Sequence, residues 1–261
     1  MIRIVLTNQK GGVGKTTSSI EIANALTRNG RRVLLIDFDQ QCNLSHYCDC
    51  DLNAPNIFNV LNAECTVEDA IQHMNSEHFG YDKLDIICGS EKLSLADKIF
   101  IAQSGDDKYL LDEVLNIIND NYDYAIIDSG PTRNISLTMC YAAADYLIIP
   151  AECDEGSRLG IEAIEDDLMK LKNSRDKVSH ADILGYIMVK YEKTLMHEIG
   201  MENLYELAKS KTIEPFVMKV SKTINMSTIK TMKQAITKSK PGCTAARDYF
   251  NIVDEIIKRV E

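Results

Sequence analysis

Asn8-Gln9-Lys10-Gly11-Gly12-Val13-Gly14-Lys15-Thr16-Thr17 follows the aliphatic run Ile2 to Leu6 and leads into Thr17 to Arg28, where Ile20, Ala23, Ala25 and Leu26 recur at helical spacing. A strand, a glycine-rich turn and a helix in this order make a phosphate cradle. The glycines let backbone N–H groups converge on phosphate oxygens, and the helix N-terminus adds the positive end of its dipole. Lys10, Gly11, Gly12, Val13, Gly14, Lys15, Thr16 and Thr17 are therefore expected to hold a nucleotide, with Lys15 on the β- and γ-phosphates and the Thr16 hydroxyl on Mg²⁺. The generic phosphate-loop pattern has glycine where Gln9 stands, and a second lysine, Lys10, follows it. A chance match to this lysine-bearing variant is on the order of 10⁻⁷ per start position.

Outward from the loop, β-branched or aliphatic runs at Arg32 to Ile36, Leu84 to Cys88, Tyr124 to Ile127, Tyr146 to Ile149 and Ile183 to Val189 alternate with helical-period stretches such as Tyr109 to Ile118. Strands that are apolar throughout belong to a parallel sheet covered on both faces. The expected class is α/β: a twisted, mostly parallel sheet with helices on both faces, in one domain over residues 1–261 with no N-terminal DNA-binding extension. Asp37 and Asp39 close the second strand, where two acids can cap a turn. Their distance of about 20 residues from a phosphate loop favours a functional role.

Composition bounds the rest. With 29 Lys+Arg against 39 Asp+Glu, the net charge of -10 argues against a protein that coats nucleic acid over its whole surface. No apolar stretch approaches the roughly 20 residues of a membrane span, and no cleavable leader pattern opens the chain, so a cytoplasmic protein is expected. The eight cysteines read as free thiols. Cys42, His46, Cys48 and Cys50 put four potential metal ligands in nine residues, but their spacing matches no common zinc motif. From Lys211 to Arg247, eight basic residues face one acid, Glu214, a local charge of +7. Such a run is either a solvated helix face or a nucleic-acid patch.

The loop with its second lysine is the deviant Walker A signature, and the sequence resembles the ParA/MinD family of ATPases, closest to the short, Soj-like ParA partition proteins. The resemblance runs along nearly the whole chain. Leu34-Leu35-Ile36-Asp37-Phe38-Asp39-Gln40-Gln41 is similar to the family's L-L-I-D-x-D-P-Q motif, and Asp123 to Thr132 is similar to its Walker B segment, with Gly130 in place of the first proline of D-x-P-P. It implies ATP and Mg²⁺ as cofactors, Lys10 acting in trans on the ATP of a partner subunit, Asp39 positioning or activating the attacking water, Asp37 supporting Mg²⁺ hydration or the phosphate loop, and Asp128 holding a water on the metal. The glycine exchange implies a looser loop near the γ-phosphate. Lys190 and Pro215 are implied near the adenine. It further implies slow ATP hydrolysis by a homodimer that forms on ATP binding and associates with the nucleoid. That dimer would bind duplex DNA nonspecifically through Lys219, Lys222, Lys230 and Lys233, with Lys238 and Lys240 next, and would answer to a ParB-like centromere-binding activator. The alternative is a MinD-like positioner of membranes or protein clusters. Against a membrane role, Arg247 to Glu261 carries three basic and four acidic residues and an apolar stripe suited to a core. Against the nitrogenase iron-protein type, Ile135 stands where a cluster cysteine is expected, and none lies near Phe100.

Overall fold

The computed structural model describes residues 1–100 and 106–261. Among the described residues one sheet contains β1 (Ile2–Leu6), β2 (Val33–Phe38), β3 (Ile71–His73), β4 (Leu84–Ile87), β5 (Tyr124–Ser129), β6 (Tyr146–Ala151), β7 (Asp182–Tyr191) and β8 (Phe216–Ser221). Their spatial order is β3-β4-β2-β5-β1-β6-β7-β8. Every neighbouring pair is parallel except β3 with β4. The helices are α1 (Lys15–Arg28), α2 (Asn43–Tyr47), α3 (Ile57–Leu61), α4 (Ala96–Phe100), α5 (Leu110–Ile117), α6 (Ile135–Ala143), α7 (Glu155–Lys172), α8 (Leu195–Lys209), α9 (Asn225–Thr231), α10 (Ile236–Ser239) and α11 (Thr244–Val260).

The period-2 alternation of each strand separates two hydrophobic layers. Ile4 and Leu6, Val33 and Leu35, and Tyr124 and Ile126 pack on the side of α1 and α11, with Ile20, Leu26, Ile252 and Ile256. Val5, Leu34 and Ile36, and Ala125 and Ile127 face the other side, with Leu111, Leu115, Met139, Ile161 and Ile164 from α5, α6 and α7. The α/β class with a mostly parallel sheet is thus as expected. No helix among the described residues is long and apolar enough to cross a membrane.

Two strands escape the hydrophobic pattern. β3 is a three-residue antiparallel edge that includes Gln72 and His73. β8 lies inside the basic run, where Lys219 masks the apolar residues Phe216, Val217 and Val220. Gly185 makes room for β8: a Cβ there would fall 2.2 Å from the Phe216 ring. Helix α1 begins at Lys15, two residues earlier than its periodicity predicts, because Lys15 and Thr16 face the loop and not the core.

The connection from β1 runs through α1 to β2 on one side of β1, while β6, its other neighbour, leads through α7 to β7 in the opposite direction. The crevice at the carboxyl ends of β1 and β6 is therefore a topological switch point, where open α/β sheets bind ligands.

Candidate nucleotide-binding site

The loop between β1 and α1 turns through Gly12 and Gly14, at φ 77° and 79°, a conformation that costs a glycine little and other residues more. Gly14 is also the N-cap of α1 and offers no side-chain cap, so the first-turn N–H groups are left without a capping side chain. A Cβ at Gly11 or Gly12 would meet nothing within 4 Å, which leaves the backbone open to an approaching phosphate. Asn8 braces the loop from below. Its Nδ2 donates to the Pro150 carbonyl at 2.8 Å, its Oδ1 accepts from the Lys10 N–H at 2.9 Å, and Gly160 admits it, since a Cβ there would lie 2.6 Å from Oδ1. The buried Lys15 ammonium donates to the Asn8 carbonyl at 2.9 Å and reaches the Lys10 carbonyl at 3.4 Å.

Asp37 and Asp128 are register partners on β2 and β5. The Thr16 hydroxyl donates to Asp128 Oδ2 at 2.6 Å and the Ser19 hydroxyl to Oδ1 at 3.3 Å. Asp37 accepts from the Ser45 N–H at 2.8 Å, the Ser45 hydroxyl at 2.7 Å and the Asp39 N–H at 3.2 Å. Ser45 Oγ in turn accepts from the Gly89 N–H at 2.8 Å. Asp37 thus braces the loop after β2 with both oxygens, on the strand beside Asp128. Burial pushes the Asp37 carboxyl up to about 6. Burial, then the Asp37 charge, also raises Asp128, while burial lowers the Lys15 ammonium against the pull of Asp128 and Asp39. Mg²⁺ takes one or two protein oxygens, waters and substrate phosphates in place of an all-protein cage, and the Thr16 hydroxyl backed by Asp128 fits that demand. Asp39 is buried beyond the end of β2, where its Oδ1 accepts from the Gln41 N–H at 3.0 Å. Gly130 lies against it: a Cβ at 130 would come within 3.3 Å of Asp39 Oδ1. The glycine permits this close approach to Asp39.

Lys10 crosses the switch-point crevice. Its ammonium pairs with Asp154, the N-cap of α7, and lies 3.6 Å from Glu152. Those partners raise its pKa, the Asp154 hydrogen bond most.

A family model described as "AAA domain" matches residues 1–180. The chain is 25% identical to the chromosome partitioning protein ParA of Caulobacter vibrioides, over 98% of this chain and 94% of that one. It is 28% identical to the maintenance of carboxysome distribution protein A of Synechococcus elongatus, over 84% and 86%. Among solved structures, a plasmid partition protein of Borrelia burgdorferi bound to AMPPNP superposes with a TM-score of 0.81 at 23% identity, covering 99% of both chains. The chain belongs to the ParA/MinD family of P-loop ATPases.

The residues that the family resemblance places near the adenine are treated unequally by the fold. Lys190, at φ 55°, pairs with Glu152 and reaches the Gly12 carbonyl at 3.4 Å, and Val189 packs 3.8 Å from the Cβ position of Gly14. Pro215 is buried just ahead of Phe216, which is in register with Gly185, four residues short of Val189. At a strand rise of about 3.3 Å per residue, Pro215 lies well below the level of the loop.

The basic run of this ParA/MinD chain, with its local charge of +7, is not gathered on one helix face. Lys211 pairs with Glu165 of α7 at 2.8 Å, on the opposite side of the sheet from α1 and α11. Lys219 lies over the Tyr191 ring at 4.1 Å and Lys222 pairs with Glu192 at 3.2 Å, both beside the end of β7. Lys230 lies over Tyr47, and Lys233 pairs with Asp49, beyond α2. Lys238 reaches the Gly80 carbonyl at 3.0 Å, at the end of the sheet where β4 begins, and Lys240 reaches Asn225 Oδ1 at 2.8 Å. The charge spreads because β8, α9 and α10 run from one end of the sheet to the other.

The cysteine cluster disperses as well. Cys42 and Cys48 are buried while His46 is exposed, and no group of three or more metal-binding side chains occurs among the described residues. Burial and the nearby Asp37 push the Cys42 thiol up to about 12, so it remains protonated at neutral pH.

Proposed function

We propose that this chain is an ATP-driven dimerising switch that binds duplex DNA nonspecifically and hydrolyses ATP slowly to segregate or position DNA. The observation that carries the reading is the phosphate cradle with a second lysine at its rim, held by Glu152 and Asp154. An ammonium in two surface ion pairs can exchange them at small cost for the phosphates of a partner subunit's nucleotide. Lys15 would bind the β- and γ-phosphates, and the N–H groups of Gly11 to Thr17 would orient them. Mg²⁺ held by Thr16 and the phosphates, with Asp37 and Asp128 behind, would neutralise charge on the triphosphate. Asp39 would orient water on the γ-phosphate side of the loop.

DNA contact would come from Lys219, Lys222, Lys230 and Lys233, doubled in the dimer, and release would be timed by a ParB-like activator acting on a slow enzyme. The expected setting is cytoplasmic, with nucleoid association in the ATP state and a single domain over residues 1–261. The relative concerned with carboxysome distribution supports a second reading, in which the cargo is a protein assembly and not DNA. Membrane positioning through the last helix is disfavoured, because Tyr249, Ile252, Val253 and Ile256 of α11 are already buried against the sheet.

Asp39→Ala tests the division of roles. It should bind ATP and dimerise like wild type while single-turnover hydrolysis falls by about 10² or more. An unchanged rate would make Asp39 structural.

A further inference from the structure

We propose that Ser136 is a positioning residue which holds one water molecule against Asp39 and so fixes the orientation of that carboxylate; this rests on the reading of Asp39 given above. Ser136 lies in the first turn of α6, is 5% exposed, and its hydroxyl has no hydrogen-bond partner among the described protein groups. Buried hydroxyls are seldom left so, and an unpaired one points to a small polar ligand. The side chain lines a niche of about 10 Å³ with Asp39, Gln40, Gly130, Thr132 and Asn134. That is the room one water requires, and a water needs two or more polar partners, which this lining supplies.

Size and charge narrow the ligand. Phe38, Leu93 and Leu137 wall the niche, and the Asp39 carboxylate disfavours an anion in so small a space. Water can satisfy both ends at once, accepting from or donating to the Ser136 hydroxyl while it donates to the carboxylate. Asp39 would then be held on one side by the Gln41 N–H and on the other by this water. A Cβ at Gly130 would come within 3.3 Å of Asp39 Oδ1, so the glycine leaves the carboxylate room in the niche.

The test uses Ser136→Ala and Ser136→Thr in the full chain. The alanine removes the hydroxyl, and the threonine keeps it but fills the niche with a methyl group. Both should lower kcat about tenfold while KM for ATP and the ATP-dependent dimer fraction stay at wild-type values, because only the aim of Asp39 is lost. The melting temperature of Ser136→Ala should fall, since a hydrogen-bonded water loses a partner. If it rises and kcat is unchanged, the hydroxyl is simply a dry, unsatisfied group and the proposal is overturned. A crystal structure showing no water within hydrogen-bonding distance of both Ser136 Oγ and Asp39 overturns it equally. Failure of Asp39→Ala to slow hydrolysis would sink the role of Asp39 itself, whatever Ser136 does, so the two failures are separable.

Discussion

The phosphate loop and the Lys211–Arg247 segment are both short runs with a strong composition, yet the fold treats them in opposite ways. In the loop, the groups that would meet a ligand are backbone N–H donors placed by Gly12 and Gly14 and one lysine anchored seven residues back on Asn8. Local sequence dictates that geometry. In the basic segment the groups are side-chain charges, and their direction depends on which element carries them. Lys211 joins α7 on one side of the sheet, while Lys222, Lys233 and Lys238 meet partners from three other regions. A motif built from backbone is read from neighbours in sequence, and one built from charge is read only after the chain is folded.

The strongest way to break this comparison is at the loop. Lys15→Ala removes a buried ammonium at the mouth of the cradle and should cost about 3 kcal/mol or more of ATP affinity, upward of a hundredfold, and with it ATP-dependent dimerisation. Calorimetric titration and sedimentation with a nonhydrolysed analogue would measure both, and wild-type affinity would remove Lys15 from the site.

Reversal of charges sharpens the other half. Lys219→Glu with Lys222→Glu, and separately Lys230→Glu with Lys233→Glu, should weaken binding to random duplexes and lower the salt slope by about one for each lysine that contacts phosphate. Lys211→Glu should change neither, because its partner lies on α7. Equal losses from all three variants would mean a diffuse field and no defined contact strip.

A smaller effect joins the two regions. Glu21, fully buried on α1, accepts from the Ile236 N–H at 2.8 Å, the Thr237 N–H at 2.9 Å and the Thr237 hydroxyl at 2.7 Å, pinning α10 to the helix that begins at the phosphate loop. Burial pushes its carboxyl from 4.5 up to about 7. The folded state then binds more protons than the unfolded state between those values, so this group's contribution to stability falls as pH rises from about 4.5 to 7. The loss is of the order of 3 kcal/mol at most. Melting curves of wild type and Glu21→Gln should therefore converge, or cross in favour of the variant, as pH rises through that window. A constant difference at every pH would show that Glu21 does not titrate there.

Legibility follows the same division. Gly12, Gly14, Lys15, Thr16 and the acids at the ends of β2 and β5 stand out in the sequence because their spacing is the geometry. Asn8, Ser45, Glu21 and Ser136 do not stand out, because their partners or neighbours are remote: Asn8 meets Pro150, Ser45 meets Gly89, and Glu21 meets Thr237 at a separation of 216 residues. β8 was hidden by the lysine in its middle, and β3 by its three-residue length. Paired Cys, His, Asp or Glu spacings in the Cys42–Cys50 stretch could not reveal that Cys42 and Cys48 turn inward while His46 turns out.

The claim that nucleotide state at the loop governs DNA affinity at the basic segment is tested most directly by one titration. The wild-type chain is titrated with a fluorescent random-sequence duplex at several salt concentrations, with Mg²⁺ and either a nonhydrolysed ATP analogue or ADP. Tight binding with the analogue, negligible binding with ADP and a steep salt slope in the first case are predicted. The same affinity and slope in both nucleotide states, or no binding in either, would contradict it.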